Sequence, residues 1–169
     1  VTRGSANVII GVIDTAIDVL HPDLVDQMYR NEGEIPQNGI DDDGNGKVDD
    51  YYGLGYQGTG WYDRYDEHGT HVASIAASRT DNSLGVAGVC PDVTIMQLGV
   101  TYTGSLPTDG IVEAVAYAID HGAHILNCSF GTGSWFESIH DAMEDADNAG
   151  LYIVCAAGNT SSDNDVAPH

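Results

Sequence analysis

Apolar residues fall in short runs rich in β-branched side chains: Asn7 to Asp14 (NVIIGVID), Val93 to Val100 (VTIMQLGV), His124 to Phe130 (HILNCSF) and Leu151 to Ala157 (LYIVCAA). Runs that are apolar without alternation predict strands buried on both faces. Between them, apolar positions recur at helical spacing over His68 to Ser78, Thr108 to His121 and Ser134 to Ala149, and Gly122 and Gly150 stand as stop signals after the last two. Strand and helix in alternation predict an α/β protein, a three-layer doubly wound, mostly parallel sheet with helices on both faces. In such sheets chemistry gathers at the carboxyl ends of the strands. Asp14 ends the first run, Ser129 ends a later one and Asn159 follows the last. The stretch 31–61 breaks the alternation with dense Gly, Asp and Asn, and is expected to be a surface insertion in one domain, 1–169, rather than a second domain. No helix is predicted beyond the last strand, so the sheet is expected to be open there, with the fold incomplete at its C-terminus.

The composition narrows the partners. With 42% hydrophobic residues, the 169-residue chain can build one core. No apolar run is long enough to cross a bilayer and none follows a basic start, so the chain reads as soluble and already processed or clipped. Its net charge of −21 repels nucleic acid and anionic membranes and favours cations. Cys90, Cys128 and Cys155 are odd in number and sit in apolar contexts, which predicts buried free thiols rather than a disulfide framework.

Several residues carry candidate chemistry. Asp14, where an apolar strand runs out, is placed either to orient a histidine or to cap the next turn. His68 and His71, in DEHGTHVAS at a helix start, offer a general base, a metal pair or hydrogen-bonded core residues. No H-E-x-x-H arrangement accompanies them, which weighs against zinc. Asn159, in AAGNTSS, suits either an oxyanion donor or a turn.

Taken in order, VIDTAID, HPDL, HGTHVAS, GVAGVCPDV, ILNCSFG and AAGN resemble the subtilisin-like serine proteases over nearly the whole chain. The resemblance implies a subtilisin-like fold and peptide-bond hydrolysis, with Asp14 as triad acid, His68 as general base and Asn159 as side-chain oxyanion donor. His71 matches a structural histidine. Ser129, Phe130 and Gly131 match a segment that pairs with substrate as an added strand. Gly99, Thr101, Tyr102 and Gly104 would form the opposite side of that cleft, and Ala157 and Gly158 flank the oxyanion position. Such main-chain pairing implies a polypeptide substrate. A monomer acting outside the cell is expected on the same grounds. Two features depart from the family pattern. Ala16 stands where the family usually has Gly, and no Gly-Thr-Ser-Met-Ala type segment supplies a nucleophilic serine. Ser74 and Ser78 fall on the helix after His68, and Ser129 matches a binding position. Two function classes follow: an endopeptidase whose serine lies outside this chain, inactive as the fragment alone, or a non-catalytic, calcium-stabilised peptide-binding module.

Calcium is the expected cofactor, at two places. By resemblance, Asp23 of HPDL and Asn82, with the backbone carbonyls of Thr80, Leu84 and Val86, would hold one structural ion. Independently of any family, NGIDDDGNGKVDD sets Asp41, Asp43, Asn45 and Asp49 at alternating positions, with Gly46 at a sharp turn and Lys47 at the seventh position of such a loop. Tyr52 stands where an EF-hand would place its bidentate glutamate, and a solvated acidic turn is the alternative reading.

Overall fold

The computed structural model describes residues 2–55, 67–101, 106–159 and 161. In chain order the elements are β1 (Ile9–Thr15), β2 (Gly53–Leu54), α1 (Glu67–Ala77), β3 (Thr94–Thr101), α2 (Thr108–Asp120), β4 (Ile125–Cys128), α3 (Glu137–Asn148) and β5 (Tyr152–Cys155). The strands form one parallel sheet in the order β2-β3-β1-β4-β5. The β-branched run that predicted β1 places it at the centre, where both faces are covered and five of its residues are buried.

The pleat sends alternate residues of each strand to opposite faces. Ile13 of β1, Met96 and Leu98 of β3 and Leu126 of β4 pack in one core against α2 and α3. Val12 and Ile95 point the other way, with Ile17, Leu24, Ala73 and Ala77, against α1. This is the predicted three-layer arrangement. Helix α2 presents Ile111, Ala114, Val115 and Ala118 to the sheet at helical spacing, and it ends where Gly122 takes φ +72°. Leu126 is fully buried between neighbouring strands and the helix layer.

Three expectations change. The stretch after residue 31 is not wholly a surface excursion: Asn31, Glu34 and Asp50 are buried, and Gly53–Leu54 forms the edge strand β2, paired with Gln97 and Leu98. A two-residue strand is too short for a periodicity to reveal. Ser78 lies just past the end of α1. Cys128 is buried, but Cys90 is only half-buried and Cys155 is exposed, because β5 is an edge strand whose Tyr152 and Val154 are also exposed. Burial, followed by the neighbouring Cys155, pushes the Cys128 thiol up to about 12, so it stays protonated and unreactive.

Candidate active site

Strand β1 brings Asp14 to the carboxyl end of the sheet, and α1 starts directly above it with His68 in its first turn. His68 Nδ1 lies 2.7 Å from Asp14 Oδ1. A carboxylate only accepts, so Nδ1 carries the proton and Nε2 is left as the basic nitrogen. The environments differ sharply: the Asp14 side chain is 3% exposed and that of His68 55%. The carboxylate is fixed in the protein interior while the imidazole reaches into solvent.

Backbone and side chains at the turn hold this pair. Thr15 N donates to Asp14 Oδ1 at 2.7 Å. Gly69 N donates to Thr15 Oγ1 at 2.8 Å, which leaves the threonine hydroxyl proton for Asp14 Oδ1, 3.2 Å away. Asp14 therefore both caps its own turn and orients the histidine, so the two sequence readings are not exclusive. A Cβ at Gly69 would lie 2.1 Å from the Thr15 carbonyl oxygen, so only glycine lets α1 approach the end of β1 this closely. Thr15 went unrecognised in the sequence, although its position beside the acid was a usable signal.

Ala16, the departure from the family pattern, is fully buried. It is accommodated where the β1–β3 register shifts between Asp14 and Thr15, with Ala16 N donating to Thr101 O. Across from it, a Cβ on Gly99 would stand 3.0 Å from Ala16 Cα, so the methyl at 16 occupies space that a glycine at 99 leaves open.

A cleft of about 600 Å³ opens on the exposed histidine. Asp14, Thr15, His68, Ser129, Phe130 and Gly131 line it, together with Leu106, Thr108, Thr132, Gly133 and Phe136. Thr108 opens α2 and the other four sit on segments leading into α2 and α3, where nothing in the sequence marks one residue as facing the site. Ser129 Oγ accepts from Asn127 Nδ2 at 2.8 Å. Gly99 and Thr101 close β3 beside β1, and β2 pairs with β3 only at Gln97 and Leu98. Tyr102 and Gly104 lie outside the described residues. Ala157, Gly158 and Asn159 follow β5 and are exposed, and Asn159 is not among the residues lining the cleft. His71, one turn beyond His68, is also exposed and outside the lining.

The segments carrying Asp23 and Asn82 meet through hydrogen bonds. Asp23 is buried, and its carboxylate accepts from Asn82 Nδ2 at 2.6 Å and from Val86 N at 3.1 Å. The loop carrying Thr80, Asn82, Leu84 and Val86 turns through positive φ at Asp81, Ser83 and Gly85. A Cβ at Gly85 would fall 2.3 Å from Asp23 Oδ2, so the loop wraps closely round the carboxylate. Burial alone would push Asp23 up, but the bonds from Asn82 and Val86 N outweigh it and hold the acid below its ordinary value.

A sequence model of the subtilase family (Peptidase_S8) matches residues 5–168. The chain belongs to the subtilase family. It is 34% identical to the thermophilic serine proteinase of Bacillus sp. strain AK1 over 99% of this chain and 37% of that protein. It is 36% identical to halolysin of Haloferax mediterranei, covering 94% of this chain and 28% of that protein. The major intracellular serine protease of Bacillus subtilis is 33% identical over 90% of this chain and 43% of its own length. Among solved structures, fervidolysin of Fervidobacterium pennivorans, a keratinolytic enzyme, superposes with a TM-score of 0.68 at 28% identity, over 95% of this chain and 23% of that one. Sphericase gives 0.68 at 26% identity, over 96% and 49%. The chain thus spans less than half the length of the relatives named here. Its subtilase fold matches the subtilisin-like architecture expected from the motifs. Among the described residues no helix is long and apolar enough to cross a membrane.

Proposed function

We propose that the protein is a serine endopeptidase of the subtilisin type, in which this chain supplies the acid and the base. The observation that carries the reading is the 2.7 Å contact between the buried Asp14 carboxylate and the exposed His68 ring at the mouth of the cleft. In this reading Asp14 holds Nδ1 protonated, and Nε2 takes a proton from a hydroxyl and returns it to the leaving amine. The carboxylate then stabilises the imidazolium formed at that moment. Asn159 is assigned the role of amide donor to the developing oxyanion. The nucleophilic hydroxyl is assigned to a serine outside these 169 residues, and the chain alone to no amide hydrolysis.

An extended polypeptide would lie in the cleft, pairing on one side with Ser129 to Gly131 and on the other with the segment that begins at Gly99 and Thr101. Leu106 and Phe136 on the cleft wall suit apolar side chains. We assign a structural calcium to the Asp23 loop, held by the Asp23 and Asn82 side chains and the carbonyls of Thr80, Leu84 and Val86. The close wrapping of that loop on a buried carboxylate fits a hard cation, which would tie the loop to the segment after β1. A monomer acting outside the cell completes the reading.

The experiment is to label the protein expressed from the longest open reading frame containing this chain with a fluorophosphonate. Labelling that disappears in His68→Ala, together with peptide hydrolysis, is the expected result. A folded product that neither labels nor cleaves peptides but still binds them would replace the endopeptidase with the non-catalytic binding module.

A further inference from the structure

Strand β3 carries a buried amide at its centre: Gln97, 1% exposed, stands between Met96 and Leu98 in an otherwise apolar stretch. A buried amide is costly unless its oxygen and nitrogen are matched, so its partners have to be accounted for. Its backbone is held on both sides, in register with Val12 of β1 and Gly53 of β2, and Gln97 N donates to Tyr52 O at 3.1 Å. A Cβ at Gly53 would come within 2.4 Å of Gln97 O, so β2 lies against it without slack. Met96 and Leu98 point to α2 and α3, which leaves Gln97 on the α1 face, the face that Val12 and Asp14 of β1 share.

From there the side chain reaches past the end of the ladder. The β1–β3 register shifts between Asp14 and Thr15, and the next four backbone amides each find a separate acceptor. Thr15 N turns to Asp14 Oδ1, and Ala16 N to Thr101 O at 3.2 Å. Ile17 N donates to Gln97 Oε1 at 2.8 Å, and Asp18 N to Thr70 Oγ1 on α1 at 2.9 Å. The segment leaving Asp14 is therefore fastened to β3 through Gln97 and to the helix that carries His68 through Thr70. Among the described residues, two buried polar atoms on this face have no hydrogen-bond partner: Gln97 Nε2 and Asp14 Oδ2. One is the positive end of an amide dipole and the other a carboxylate oxygen.

We propose that Gln97 is a positioning residue for the acid: it fixes the turn after Asp14 through Ile17 N and sets its amide dipole on the face where the Asp14 carboxylate is buried. Releasing Ile17 N loosens the turn that holds the 2.7 Å contact with His68. A carboxylate that drifts from Nδ1 stabilises the imidazolium less, so His68 then titrates lower. Asp14 and His68 are the only titratable groups among the described residues lining the cleft; Glu67 and His71 lie on α1 beside His68, and Asp18 on the turn. None of these three is touched by a change at Gln97, so the His68 titration reports on the Asp14 contact. The proposal rests on the endopeptidase reading only for its effect on turnover.

The test uses the protein expressed from the longest open reading frame containing this chain, labelled with 15N-histidine. The His68 signal is identified by its loss in His68→Gln, and its titration is followed by NMR beside steady-state kinetics. Gln97→Met, similar in length but without donor or acceptor, should move the His68 titration down by about half a pH unit or more, and the acidic limb of kcat/KM with it. It should also lower kcat by about tenfold. Gln97→Glu keeps an oxygen for Ile17 N, so His68 should titrate at or above its original value. A Gln97→Met protein that melts earlier but leaves the His68 titration unchanged overturns the positioning role. A fall of His68 in Gln97→Glu as large as in Gln97→Met does the same. Should Gln97→Met fail to fold by circular dichroism, Gln97→Asn, one methylene short of Ile17 N, takes its place with the same expected shift. If the unmodified protein cleaves no peptide while His68 still shifts in Gln97→Met, the endopeptidase reading fails and the role of Gln97 in placing the acid stands.

Discussion

Asp14 and Glu34 are both buried carboxylates, yet the chain holds them in opposite ways. Asp14 rides on the central strand of a five-stranded sheet, so its position follows from the register of β1 with β3 and β4. Glu34 sits in irregular chain and is positioned by backbone amides eight and nine residues downstream. One acid is aimed by a rigid scaffold, and the other by a local network that must form together with the loop. The comparison teaches how firmly each can be placed. An acid on a central strand keeps one location relative to the ring beside it, whereas one held by loop amides moves with the loop that carries it.

The largest effect that would break this contrast is on catalysis. In the active full-length protein, Asp14→Asn should lower kcat by about 10⁴-fold while leaving the fold intact, because the amide favours the wrong histidine tautomer. Steady-state kinetics beside circular dichroism measures this, and a loss below tenfold would show that His68 needs no fixed acid.

Next in size is the support beneath the pair. Gly69→Ala drives a methyl into the Thr15 carbonyl and should cost about 1–3 kcal/mol of stability. The same change should also reduce kcat, since the Gly69–Thr15–Asp14 relay is displaced. Urea unfolding and kinetics on one preparation would show whether the two losses travel together.

On the loop side, Tyr117→Phe removes a donor from Asp50, which is fully buried. About 1–3 kcal/mol should be lost, because a buried acceptor loses a partner. Burial and the adjacent Asp50 carboxylate already push the Tyr117 hydroxyl well up, so it remains a donor throughout the accessible pH range. If unfolding shows no change, the loop is not anchored through α2.

The smallest effect is on acid stability. Asn31 donates to Asp43, and this holds Asp43 below its ordinary 3.8 despite some desolvation. Asp23 is likewise held below 3.8. Folded values lower than unfolded ones mean that the stabilisation is complete above about pH 4 and fades as the pH falls through the folded values. Calcium-free thermal melts between pH 5 and 2 should show a decline that Asp43→Asn makes shallower.

Much of the fold was legible because burial on both faces of a parallel strand leaves an unmistakable apolar run. The runs beginning at His124 and Leu151 contain the strands observed, and those ending at Asp14 and Val100 cover all but the last residue of theirs, Thr15 and Thr101. The helical stretches were recognisable by the same logic, with ends displaced by a few residues. Strand β2 was not, since two residues carry no period. At the site, the order of motifs pointed to Asp14, His68 and Ser129, and the structure brings all three to one cleft. Leu106 and Phe136, which precede helices, and Thr108, which opens α2, were invisible, because whether such a residue faces a cleft depends on how its helix docks.

Layer architecture and family could be read along the chain, since apolar periodicity and short motifs are local properties. The need of its clustered acids for a cation or open water could be read there too. Tertiary structure alone decided which acids meet. Spacing along the loop favoured Asp49, but folding turns Asp49 to the loop base and carries Glu34 inward in its place. Distance in sequence cannot rank those carboxylates, because the three-dimensional path of an irregular segment is set by hydrogen bonds made only once the whole loop has closed.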